Sequence, residues 1–210
     1  MKKILLIGDS IRTGYDNYVR MSYEGLAEVY YPEENCQFSS YVLRHMREWK
    51  NLCGHDVDVV HWNAGLWDTL VLPDGKMHVS IDTYRENIDR ICTMIKILFP
   101  NAKMIFATST ACIEEGFTGD VRRFNKDVEE YNTVAVEVVK RHGGEVNDLY
   151  SLTVNAPIEW HSDQTHFFTK EATKAIVGQV IRCLENAIGI KANELNYDKI
   201  FADEKDVKGL

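Results

Sequence analysis

Lys2-Lys3-Ile4-Leu5-Leu6-Ile7-Gly8-Asp9-Ser10 opens the chain with an apolar run that ends on a glycine, an acid and a serine. Large apolar residues in unbroken succession, closed by turn formers, read as a strand buried on both faces. Such strands belong to parallel sheets covered by helices. Ser10 then stands at the carboxyl end of the first strand, where open α/β sheets place their sites.

The remaining segments continue the rhythm. Val29-Tyr30-Tyr31 reads as a short second strand, and residues 57–62 and 103–108 as further ones. Residues 38–52 have helical spacing, with Tyr41, Val42, His45, Met46 and Trp49 along one side. Residues 81–99 carry the stripe Ile88, Ile91, Cys92, Ile95 and Leu98, and Pro100-Asn101 stops them. A helix over 121–141 ends at Gly143-Gly144, and 145–149 reads as the last short strand. A final helix spans 169–188, with Thr169 as N-cap and Glu171 and Lys174 on its wet face. Strands alternating with helices predict a parallel sheet of about five strands with helices on both faces. Ser10, Asn63, Thr108 and the Asp148 region all follow strands, so the rhythm alone gathers them at one edge of the sheet.

At 210 residues and 45% hydrophobic, the chain suits one domain, residues 1–188, with a polar extension over 189–210. Leu195, Tyr197, Ile200 and Phe201 suit that extension for packing on the domain or on a second copy of the chain. A net charge of −8 argues against nucleic acid or an anionic membrane as partner. The apolar core behind Met-Lys-Lys is too short for a secretory signal, and no stretch reaches the ~20 apolar residues of a span. A cytoplasmic protein is expected. The five cysteines are odd in number and lack a Cys-x-x-Cys pair, which favours reduced thiols over a metal cage or disulfides. No metal or cofactor is expected.

A serine hydroxyl attacks an ester only when a base takes its proton. Asp163-Gln164-Thr165-His166 offers that base, with an acid close enough in the same loop to orient it. The plainer readings are a helix cap or phosphate turn at Asp9-Ser10 and an ordinary cap at Asp163. His61 lies in an apolar strand and reads as a core histidine. Arg12 reads as a surface ion-pair partner.

Taken together, Ile7-Gly8-Asp9-Ser10 and Asp163-x-x-His166-Phe167-Phe168-Thr169-Lys170-Glu171 resemble the SGNH hydrolases, also called GDSL esterases and lipases. Phe124-Asn125 to Tyr131-Asn132 and Val146-Asn147-Asp148-Leu149-Tyr150 agree in order, and the resemblance runs to about residue 188. It implies a flavodoxin-like three-layer α/β/α fold and ester hydrolysis through an acyl-serine. Ser10 would be nucleophile and first oxyanion donor, His166 the base and Asp163 its support.

The other blocks depart from the family. The third reads His61-Trp62-Asn63-Ala64-Gly65-Leu66-Trp67-Asp68, with Trp67 where the family has asparagine. Asn63, on the same strand-face parity as Gly65, is the candidate side-chain donor. The second block lacks its glycine, so the Cys36 backbone N–H, or the Asn35 side chain, would have to serve. Asp9, Gly65, Trp67 and Trp160 are candidates to contact substrate, and Trp62 reads as packing. His161 is a candidate to line the pocket. The substrate expected is a small ester, such as an acetylated carbohydrate. A thioesterase or lysophospholipase stays open, as does a degenerate, non-catalytic binder. A phosphate binder is disfavoured, for no glycine-rich phosphate loop is present.

Overall fold

The computed structural model describes residues 1–208. Strands β1 (Lys2–Ile7), β2 (Ala27–Tyr30), β3 (Val59–Trp62), β4 (Lys103–Ala107) and β5 (Glu145–Asn147) form one sheet in the order β2-β1-β3-β4-β5. Every pairing is parallel, with Ile4 opposite Val59, Val59 opposite Lys103 and Ile105 opposite Glu145. This is the flavodoxin-like order, whose topological switch lies between β1 and β3. The three-layer fold is the one read from the sequence.

Strand alternation sorts the core into two faces. Leu5, Ile7, Val60, Trp62, Met104 and Phe106 face helices α3 (Ser39–Cys53), α4 (Ile81–Leu98) and α5 (Asn125–Arg141). Ile4, Leu6, Val59, Ile105 and Ala107 face the opposite layer. That layer contains α1 (Ser10–Thr13), α2 (Asp16–Ser22), α6 (Leu149–Thr153) and α7 (Lys170–Ile188). Each of the larger side chains contributes about 1.5–3 kcal/mol by leaving water. Cys36, Cys53, Cys92 and Cys112 are buried free thiols and Cys183 is half-buried. Among the described residues no helix is long and apolar enough to cross a membrane.

Three local differences from the sequence reading have physical causes. Residues 121–124 are extended rather than helical, because Arg122 and Val71 exchange backbone hydrogen bonds of 2.8 and 3.0 Å. The last strand stops at Asn147, because the Asp148 carboxylate accepts the Ser151 N–H at 3.1 Å and starts α6. Thr169 occupies the N-cap position of α7, but its hydroxyl donates to the Trp160 carbonyl at 3.1 Å instead of capping. The extension carries α8 (Tyr197–Lys208), and Tyr197 and Phe201 stack on Tyr18 of α2. It therefore packs on the domain; its last residues, 209–210, lie outside the described residues.

His61 is a core histidine, as read. It is fully buried between Tyr15 Oη, 3.3 Å from Nδ1, and Asn147 Nδ2, 3.0 Å from Nε2. Gln179 donates to Asn147 Oδ1 at 2.9 Å and so points the Asn147 amide N–H at the ring. Nε2 therefore accepts, and the Nδ1–H donates to Tyr15. Burial pushes the imidazole pKa down to about 4. The unfolded chain, with an ordinary histidine near 6.5, takes up the proton first. Stability from this group is therefore present above about pH 6.5 and is lost as pH falls towards 4, by about 3 kcal/mol in all. In urea unfolding, the gap between the wild type and His61→Gln is expected to narrow by that amount between pH 7 and pH 4. A gap that ignores pH contradicts the neutral buried ring.

Candidate active site

β1 delivers its carboxyl end to the switch point, and Gly8 lets β3 close over it. A Cβ on Gly8 would lie 1.9 Å from Asn63 Oδ1, so no larger residue fits. Asp9 then caps α1, its Oδ1 accepting the Ile11 N–H at 3.0 Å. Ser10 is the first residue of that helix, and its own N–H has no partner among the described residues.

The second half of the site comes from the loop before α7. Asp163 Oδ1 accepts the N–H groups of Thr165 and His166 at 2.7 and 2.9 Å, which folds the loop around the carboxylate. Asp163 Oδ2 is 2.7 Å from His166 Nδ1, and His166 Nε2 is 2.8 Å from Ser10 Oγ. The carboxylate holds the proton on Nδ1, so Nε2 is the lone-pair nitrogen that accepts from the serine hydroxyl. Burial alone would raise the Asp163 pKa. The hydrogen bonds from the His166 ring and the two N–H groups outweigh it, and the carboxyl is held below its usual value. Phe168 stacks on the imidazole at 4.7 Å and 22°, and is itself 42% exposed.

Ser10, Asp163 and His166 are thus brought together in one hydrogen-bonded chain. Asn63 lies at the end of β3, buried, its side chain between Gly8 and Asp9. Asp9 Oδ2 and Asn63 Oδ1 are both buried without a hydrogen-bond partner. Burial pushes the Asp9 pKa up, with the nearby Asn63 amide, the Ile11 N–H and the charges of Arg123 and Arg12 opposing.

Several expectations need correction. The Cys36 N–H donates to the Gly8 carbonyl at 3.0 Å, so it is not free for an oxyanion. The Asn35 side chain is bound only through its oxygen, which accepts the Gln37 N–H at 2.8 Å, and its amide N–H groups make no hydrogen bond among the described residues. Asp9, a candidate substrate contact, is fully buried and caps α1. Gly65, at φ 153°, is buried against Ser109, whose Oγ would lie 2.3 Å from a Cβ there; close packing, not substrate, sets that position. Arg12 is fully buried instead of surface-exposed, and bonds Asp16 and the carbonyls of Pro32, Glu34 and Gly8. Trp67 and Trp160, the candidate substrate contacts, are half-buried, and Phe168 is the ring that stacks on His166. Trp160 packs on the second core face, and Trp62 is fully buried against Phe106. His161 packs on Phe167 at 4.2 Å.

Two residues were not legible as site residues. Asp68 is fully buried and accepts the Ser39 N–H at 3.1 Å together with the Ser39 hydroxyl, so it caps α3 from the third block. Burial pushes its carboxyl up to about 6 against those hydrogen bonds. Arg123 is 6% exposed, and links the Leu66 carbonyl (2.8 Å) to the Thr165 hydroxyl (3.1 Å). It thereby ties the loop after β3 to the loop holding Asp163 and His166. The second arginine of the pair Arg122-Arg123, in a charged stretch, gave no signal of this.

No protein-family model matches the chain, and no curated protein is significantly similar to it. Solved structures are. The fold is that of GDSL-type lipases, acylhydrolases and esterases. A lipase/acylhydrolase from Enterococcus faecalis superposes with a TM-score of 0.71 at 22% identity, over 89% of this chain and 96% of that one. An acetylxylan esterase from Geobacillus stearothermophilus gives 0.66 at 16%, over 93% and 97%. A GDSL-like lipase from Bacteroides thetaiotaomicron gives 0.63 at 17%, over 89% of each chain. At such identities the likeness is one of fold.

Gly65→Ala is expected to destabilise the domain by about 1–3 kcal/mol, since both the backbone angle and the Ser109 contact oppose a side chain. Thermal unfolding checks it, and an unchanged midpoint would show that the loop after β3 adapts.

Proposed function

We propose that this protein is a serine-dependent acylhydrolase of the SGNH type, cleaving a small ester through an acyl-serine. The observation that carries the reading is the unbroken chain from Asp163 through His166 to Ser10 Oγ, at 2.7 and 2.8 Å. The shared fold supports it, since the solved structures include proteins described as acylhydrolase and acetylxylan esterase. A small acyl group on a carbohydrate is the substrate class we favour.

In this mechanism Ser10 Oγ attacks the ester carbonyl while His166 Nε2 takes the hydroxyl proton. Asp163 stabilises the imidazolium and keeps its orientation. The oxyanion forms near the free Ser10 N–H, with Asn63 as second donor. His166 then protonates the leaving alcohol, and next activates a water that releases the acid.

A second reading is a non-catalytic ligand binder. The occupied Cys36 N–H favours it, because the usual backbone donor of the second block is missing. The two readings separate in one experiment. A short-chain chromogenic ester is expected to be turned over by the wild type and about a thousandfold or more slower by Ser10→Ala. A fluorophosphonate is expected to label Ser10. Neither turnover nor labelling, across several acyl lengths, would leave the binder.

Asn63→Ala is expected to lower kcat about a hundredfold with the fold intact. Turnover within a few-fold of wild type would remove Asn63 from the oxyanion site.

A further inference from the structure

Two arginines are buried around the end of β1, and they differ in one respect. Arg12 has a carboxylate, Asp16, and carbonyl acceptors for the rest of its fork. Arg123 has only neutral partners: Nε donates to the Leu66 carbonyl and Nη1 to the Thr165 hydroxyl. It forms no ion pair among the described residues, and Phe117 lies over its guanidinium at 5.4 Å. Asp9 is the carboxyl whose field it feels, yet no hydrogen bond joins the two.

A buried guanidinium without a carboxylate is expensive to keep, and buried charges are ordinarily paired. The position of the open donor shows where a partner would enter. Nη2 makes no hydrogen bond, and it is not among the buried polar atoms that lack one. That amino group therefore keeps some exposure. The other two nitrogens are anchored on Leu66, next to Gly65, and on Thr165, next to His166. Thr165 and His166 are consecutive, so their Cα atoms are about 3.8 Å apart. The Arg123 charge also acts on Asp9, the residue before Ser10, so the guanidinium lies near the turn that carries the serine.

We infer that Arg123 is a specificity-determining residue whose free Nη2 binds a carboxylate carried by the ester substrate beside the scissile bond. The inference rests on the acylhydrolase reading of the same site, and adds to it the class of substrate: an acidic ester, with the acid on the acyl or the alcohol half. A single open amino group suits one oxygen of a carboxylate, and a charge-assisted hydrogen bond is stronger than a neutral one. The Leu66 and Thr165 contacts hold the guanidinium in place, so little order is lost on binding.

Two substrate pairs distinguish the halves. Mono-4-nitrophenyl succinate against 4-nitrophenyl butyrate places the acid on the acyl side. O-acetylglucuronate against O-acetylglucose places it on the alcohol side. In at least one pair, the wild type is expected to favour the acidic member at least about tenfold in kcat/KM, through KM. Arg123→Gln is expected to bring that ratio near one, whatever it does to both rates through the loops it ties. Should the glutamine variant unfold, the wild-type ratio alone decides. Ratios near one in both pairs, or a ratio unchanged in Arg123→Gln, overturn the proposal and leave Arg123 a positioning residue. Failure of the acylhydrolase reading looks different: none of the four esters is turned over and Ser10 is not labelled. The carboxylate site is then read by titration of succinate and glucuronate, whose binding to the wild type and not to Arg123→Gln upholds it and whose absence refutes it.

Discussion

A 2.8 Å contact between Ser10 Oγ and His166 Nε2 joins groups 156 residues apart, and most of the fold bears on it. The serine is held by β1, an interior strand paired on both sides, and the histidine by a loop wound around Asp163. Neither can drift far. Ile4 to Ile7 are fully buried, and the loop leads directly into α7, whose Ile176, Val177 and Val180 lie in the second core. Parallel strands all end at the same edge, so the serine and the loop meet there without any special connection.

Charge at that edge is unevenly settled. Arg12 fastens the turn after β1 to the segment after β2 with a full set of acceptors. Asp68 does the same for the start of α3. These groups are fully buried and paired, and they explain why the blocks after β2 and β3 sit where they do. Arg123 lacks a carboxylate, and Asp9 and Asn63 each keep a buried oxygen without a hydrogen-bond partner. Buried polar groups left unpaired are costly, so these stand apart from the closed networks of Arg12 and Asp68.

Much of this was legible in the chain. The apolar run before Gly8 marked β1, helical stripes marked α3, α4, α5 and α7, and the three-residue spacing of Asp163 and His166 marked the loop. Local patterns misled where a distant partner intervened. Residues 121–124 carry no signal that Val71 will pair with Arg122, and Cys36 gives no sign that Gly8 will take its N–H. The short helices α1, α2 and α6 are below the length at which periodicity can be read.

By itself, then, the amino-acid order determined the strands and the long helices, that the strands run parallel, and which side chains stand at their carboxyl ends. Those properties follow from burial and from the period of the backbone, both written locally. Only the tertiary structure decided which donors are free, which acids are buried, and that Arg123 bonds Thr165, the residue before His166. Hydrogen-bond partners across loops depend on distances of a few tenths of an ångström, and such distances are set by packing from the whole molecule.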